Sequence, residues 1–128
     1  AEAGYDVVDH GAAEYDALDN YPPMCIECGK AVVADPGSLG IVLGGSGNGE
    51  QIAANKVPGV RAILAWNEST AELGREHNDA NVVSIGARQH EPARAFELVR
   101  TFLETPFSGD ARHRRRIGLL AEYEAERG

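Results

Sequence analysis

Leu39-Gly40-Ile41-Val42-Leu43-Gly44-Gly45-Ser46-Gly47-Asn48-Gly49-Glu50-Gln51-Ile52-Ala53-Ala54 changes character twice. Leu39 to Leu43 is a short apolar run of the length of a buried strand. Four glycines follow within Gly44 to Gly49. A helical segment then carries Gln51, Ile52, Ala53 and Ala54. Strand, glycine loop and helix in that order set the frame for the rest of the chain.

The same alternation recurs on both sides. Upstream, Tyr5-Asp6-Val7-Val8-Asp9 predicts a strand stopped by Gly11. Tyr21-Pro22-Pro23 opens a helix, because proline is tolerated in a first turn. That helix runs to about Ala34 and stops before Asp35-Pro36-Gly37. Downstream, Val60 to Trp66 predicts a strand, and Asn67, Ser69 or Thr70 can cap a helix ending near His77-Asn78. Asn81 to Gly86 is a further strand. Pro92 starts a helix with Phe96, Val99, Phe102 and Leu103 on one stripe. A last helix runs from about Asp110 to Glu126, with Ile117, Leu120 and Tyr123 at helical spacing. Apolar strands alternating with helices predict an α/β fold: a three-layer α/β/α sandwich around a parallel, Rossmann-like sheet, in one domain spanning 1–128. Ligands of such folds bind beyond the carboxyl ends of the strands, where the glycine loop, Trp66-Asn67 and Gly86-Ala87-Arg88 fall.

Composition narrows the function. The 128 residues include 12 Lys and Arg against 20 Asp and Glu, a net charge of −8. That balance argues against a nucleic-acid or anionic-membrane surface, which needs cations to replace counterions. A small anion can still be bound where the few cations converge. No apolar run reaches the roughly 20 residues of a membrane span. Cys25 and Cys28 form a C-x-x-C spacing without a second pair, read as two small buried residues one helical turn apart. Nothing in the spacing suggests disulfides, so a reducing cytoplasm is expected.

The glycine loop suits a negative charge, because backbone N–H groups and a helix N-terminus face its concave side. On pattern alone an anion or oxyanion site and a tight turn are equally open. The loop is not a P-loop, lacking the Lys-Ser/Thr pair, nor a convincing dinucleotide fingerprint. Glu50 follows the last glycine. It either steadies the helix N-terminus or acts as a general base beside an oxyanion hole, removing a proton next to a carbonyl while N–H groups hold the enediolate. His77 reads as a surface or cap residue. Arg112, His113, Arg114, Arg115 and Arg116 form a basic run on an acidic chain. It is either a solvated face or, with Arg112 and Arg116 on one side of the helix, a phosphate clamp.

Taken together, these motifs resemble the type B ribose-5-phosphate isomerases and the related galactose-6-phosphate isomerase subunits. The resemblance rests on Gly40 through Lys56, Arg75 through Asn81, Ile85-Gly86-Ala87-Arg88, Arg112 through Ile117, and Asp19-Asn20-Tyr21-Pro22. It implies cofactor-free, metal-free interconversion of ribose 5-phosphate and ribulose 5-phosphate. Many members use a Cys base just ahead of the loop's first glycine. Here that position is Gly44, and the chain resembles the actinobacterial-type branch with a Glu base, here Glu50. The resemblance implies that His77 is the proton donor, helping to open the ring. Gly45, Ser46, Gly47, Asn48 and Gly49 would line the substrate and stabilise the enediolate, with Ser46 among the catalytic groups. Asn78 would bind sugar hydroxyls, and Arg88, Arg112 and Arg116 the phosphate. It also implies a homodimer with the site at its interface, and tetramers in some members.

In one respect the chain departs from the pattern. Members begin with a central strand ending in an Asp-His pair, then a helix. This chain starts where that helix should end, so these residues are expected to precede Ala1. Without that strand a gap is expected between the strands at Tyr5 and Leu39. Asp9-His10 is not that pair and is expected at a strand end. A phosphosugar-binding module without catalysis, or an isomerase of allose or galactose 6-phosphate, remain the alternatives.

Overall fold

Three parallel strands organise the computed structural model, which describes residues 5–11 and 20–127. The elements are α1 (Pro22–Ala34), β1 (Gly40–Gly44), α2 (Asn48–Asn55), β2 (Ala62–Leu64), α3 (Glu68–Asn78), β3 (Val82–Gly86), α4 (Pro92–Glu104) and α5 (Ala111–Arg127). The strand order is β1-β3-β2. Gly40 pairs with Val82 and Gly44 with Gly86, while Ala62 also pairs with Val82. All strand starts therefore lie at one end of the sheet and all strand ends at the other.

Burial explains the order. Every residue of β3 is buried, as a central strand covered on both faces requires. On one face Val42, Ala62 and Val82 pack with Cys25 and Val32 of α1 and Ala53 and Ala54 of α2. On the other, Val83 and Ile85 pack with Ala71 of α3 and Leu98 and Phe102 of α4. The result is the expected three-layer α/β/α sandwich.

Local chemistry fixes the helix ends near the site. Asn67 caps α3: its side chain accepts the Thr70 N–H at 2.9 Å while Thr70 Oγ1 accepts the Asn67 N–H at 3.1 Å. At the other end of α3, Arg75 donates to Asp79 Oδ1 at 3.0 Å, to the Ala80 carbonyl, and to the Thr105 carbonyl at 3.0 Å. One guanidinium thus ties the α3–β3 turn to the α4–α5 link.

Several expectations need correction. Tyr5–Asp9 is not a strand, and Asp9-His10 is not at a strand end: the segment has no regular secondary structure, and Val8 is 75% exposed. Val7 is exposed as well, and among the described residues no strand offers a ladder to this segment. The outer edge of β1 is likewise without a partner strand among the described residues, and Leu43 is 60% exposed there. The expected gap between strands at Tyr5 and Leu39 is therefore not what is seen, since only the second of the two is a strand. β2 is shorter than Val60 to Trp66, pairing only over Ala62–Leu64. Phe96 leaves the α4 stripe because it stands two residues from Leu98, about 200° round the helix. It is exposed, and the buried line runs through Leu98 and Phe102. On α5, Ile117 is half-buried while Leu119, Leu120 and Tyr123 are exposed, so its apolar stripe is largely uncovered among the described residues. Asp19, at the start of the Asp19-Asn20-Tyr21-Pro22 match, lies outside the described residues.

Candidate active site

The loop from Gly44 to Gly49 leaves the carboxyl end of β1 and enters α2. It is pinned from β3: Ser84, fully buried, donates its hydroxyl to the Gly47 carbonyl at 2.6 Å. The Ala87 N–H donates to the Gly44 carbonyl at 2.6 Å and the Arg88 N–H to the Gly45 carbonyl at 3.1 Å. Gly47 sits at φ +85°, and a Cβ there would lie 2.7 Å from Leu64 Cδ1. Only glycine meets both demands at low cost. Ser46 Oγ accepts the Asn48 N–H at 3.2 Å. Among the described residues the N–H groups of Ser46, Gly47 and Gly49 find no acceptor. The loop therefore spends its carbonyls on the fold and keeps donors for a ligand.

Glu50 is the third residue of α2 after its cap, Gly47, and is only 8% exposed. A Glu in this place commonly folds back onto the cap N–H. Here it does not. Its carboxylate lies against the Cα of Gly44, where a Cβ would overlap it. The acid thus occupies the space that any side chain at position 44 would need. No salt bridge among the described residues engages it. Buried carboxylates are usually paired, and among the described residues no cation is paired with this one, which makes Glu50 a candidate for chemistry at the loop.

Two neighbours that the sequence did not place at the site stand beside the acid. The Tyr21 phenol rests against Gly49, where it would overlap a Cβ. The Cys25 thiol is pushed up to about 11 by burial, with the charge of Glu50 adding and that of Cys28 after it. Tyr21 and Cys25 form the wall of α1 beside the acid. Their signal lay in the spacing from Tyr21 to Cys25, one turn of helix, which has meaning only once α1 is known to pack on α2. Arg88 closes the opposite side: a Cβ at Gly45 would meet its side chain at 3.4–3.6 Å.

His77 and Asn78 are elsewhere. They end α3, which runs back to the amino end of the sheet before β3 begins. At about 3.3 Å per residue, the length of β3 alone separates the sheet's two ends by roughly 13 Å. At the amino end His77 stacks on His113 of α5, with ring centroids 4.2 Å apart and planes at 18°. Arg112 Nη2 lies 3.4 Å from His113 Nε2. The Ser108 N–H donates to the Glu76 carbonyl at 3.2 Å, and Glu124 accepts the Gly59 N–H at 3.2 Å, so α5 runs beneath the strand starts. The sequence-predicted residues therefore fall into two groups. Gly45, Ser46, Gly47, Asn48, Gly49, Glu50 and Arg88 share the carboxyl end. His77, Asn78, Arg112 and Arg116 share the amino end, and the two groups do not meet within one chain. His113, which the sequence placed in a solvated basic run, is buried. Recesses of about 320 Å³ beside Gln51 and Lys56, and of about 240 Å³ beside Arg61 and Asp79, are bordered by neither Glu50 nor the loop.

A sequence profile of the family described as Ribose/Galactose Isomerase matches residues 1–120. The chain belongs to this family. It is 58% identical over 123 residues to ribose-5-phosphate isomerase B of Mycobacterium tuberculosis, covering 96% of this chain and 76% of that one. Among solved structures, ribose-5-phosphate isomerase B of Clostridium thermocellum superposes with a TM-score of 0.92 at 38% identity, covering 99% of this chain and 84% of that chain. The enzyme of Mycoplasma genitalium with bound ribulose-5-phosphate superposes at 0.91, also at 38% identity, covering 98% and 82%. Membership in the ribose/galactose isomerase family fits an α/β sheet with a ligand loop at its carboxyl end. No helix among the described residues is long and apolar enough to cross a membrane.

Proposed function

We propose that this chain interconverts ribose 5-phosphate and ribulose 5-phosphate by proton transfer through an enediolate. The observation that carries the reading is the Glu50 carboxylate, buried against Gly44 at the mouth of a loop with unused N–H donors. Glu50 takes the C2 proton of the open-chain aldose. The carbonyl oxygen becomes an enediolate oxygen held by the N–H groups of Ser46, Gly47 and Gly49, with the Ser46 hydroxyl at hand. Glu50 returns the proton to C1 while the O2 hydroxyl proton passes to O1, so C2 becomes the carbonyl of the ketose and Glu50 is a carboxylate again. Asn48 and Gly45 line the sugar. No metal or organic cofactor enters this scheme.

His77 is the proton donor that helps open the furanose, Asn78 binds sugar hydroxyls, and Arg112 and Arg116 hold the phosphate together with Arg88. Because the first four stand at the opposite end of the sheet from Glu50, a second copy delivers them. The protein then works as a homodimer whose two sites each combine the loop of one copy with the α3–α5 corner of the other. Symmetric pairing makes both sites alike. The exposed Leu119, Leu120 and Tyr123 on α5 supply apolar surface for such an interface. The free thiols Cys25 and Cys28 suit a reducing cytoplasm, where the pentose phosphate pathway uses this reaction.

A coupled assay of ribose 5-phosphate, allose 6-phosphate and galactose 6-phosphate tests the substrate. The reading expects the highest kcat/KM for ribose 5-phosphate. Preference for a six-carbon sugar would move the assignment within the family, and binding without turnover of any of them would leave only a phosphosugar-binding module.

A further inference from the structure

His113 is the one residue of the basic run on α5 that is buried, at 6% exposed. Its ring does not point at the loop or into a core cluster. It lies flat on His77, 4.2 Å away and nearly parallel. Burial holds its imidazole below the usual histidine range, and the charges of His77, Arg112 and Arg116 act in the same direction, with Asp110 opposing. These are the charged groups that bear on it: His77 from α3, Arg112 and Arg116 from its own helix, and Asp110 just before that helix. A neutral ring can stay stacked while His77 gains and loses a proton. A charged one would repel the imidazolium across the stack.

We propose that His113 is a positioning residue for His77: a buried ring that fixes the plane of the catalytic imidazole and couples it to the Arg112 side of α5. This rests on the proposed role of His77 in ring opening. The stack covers one face of His77 and restricts its broad χ2 torsion. Asp110 anchors the start of the helix, accepting the Arg112 N–H at 2.9 Å, so the His113 ring is presented from a fixed turn. Orientation of this kind matters for rate, because a small misplacement of a catalytic group is costly.

The test uses two reactions. Isomerisation of ribose 5-phosphate needs the ring opened. Ribulose 5-phosphate has no ring to open, since its C5 oxygen is esterified, so exchange of its C1 proton with solvent deuterium reports on Glu50 and the loop alone. His113→Ala is expected to slow ribose 5-phosphate turnover about 10- to 100-fold, mainly in kcat, with exchange nearly unchanged. His113→Phe keeps a stacked ring and is expected to stay within about 3-fold in both reactions. The His77 ring proton resonance, shifted by the stacked ring, should move in His113→Ala and hold in His113→Phe. Equal loss of both reactions in His113→Ala, or failure of a folded His113→Phe to retain turnover, overturns the positioning role. His77→Asn serves as the separate control. If it does not slow ribose 5-phosphate turnover, the role of His77 itself is wrong, whatever His113 does.

Discussion

The two ends of the sheet are built differently. At the carboxyl end, loop, acid and helix N-terminus come from one unbroken stretch, and the chemistry is mostly backbone. Ser84 and the turn after β3 only hold that stretch in place. At the amino end the proposed functional groups are side chains from two helices more than thirty residues apart, brought together by packing. A backbone site tolerates little change in shape, whereas a side-chain site tolerates little change in chemistry.

Substitutions should break the comparison in that order. Glu50→Gln, which keeps the shape and removes the base, is expected to cut kcat about 10³-fold while substrate binding persists, as isothermal calorimetry would show. Near-normal turnover would assign the base elsewhere. His77→Asn is expected to cost about 10²-fold in kcat, less than loss of the base, because open-chain sugar still forms spontaneously. A loss larger than that of Glu50→Gln would reverse the ranking of the two ends.

Gly47→Ala tests the backbone end through stability. With φ at +85°, Leu64 at 2.7 Å and the Gly86 nitrogen at 3.1 Å from the added Cβ, it is expected to cost more than the roughly 1–2 kcal/mol of left-handed strain alone. Urea unfolding would measure this, and an unchanged midpoint would contradict the geometry.

The smaller effects concern protonation. His113 is depressed below its ordinary value of 6.5 in the folded state, so the unfolded chain binds more protons at mildly acid pH. Its contribution is fully present above about 6.5 and is lost as pH falls towards its folded value. His113→Phe should therefore flatten the fall in thermal midpoint between about pH 7 and 5. At the other end, Cys25, pushed up to about 11, stays a thiol at neutral pH and should react slowly with iodoacetamide until the protein unfolds. Rapid labelling in the native state would mean that the wall beside Glu50 is open.

The same contrast explains what the sequence revealed. The loop end was legible because strand, glycines and acid are neighbours, so adjacency in sequence is adjacency in space. Helices α1 and α3 were legible from the Pro22-Pro23 start and the Asn67 cap. The stack of His77 on His113 was not, because a histidine inside an arginine run carries no local sign of burial. Nor was the placement of Tyr21 against Gly49, which depends on how α1 crosses α2. Tyr5–Asp9 misled by composition: valine and tyrosine favour strands, but a strand forms only where another strand accepts its hydrogen bonds. Phe96 misled in a similar way, since an apolar stripe does not say which of its edges meets the sheet.

The central claim is that the loop of one copy works with the α3–α5 corner of another. Mixing Glu50→Gln and His77→Asn proteins, after subunit exchange, tests it directly. A mixed dimer would hold one intact site and one doubly impaired site, so a statistical mixture should recover about a quarter of wild-type turnover. No recovery above the two variants alone, with mixed dimers confirmed by native mass spectrometry, would contradict the account and require both halves of the site to come from a single chain.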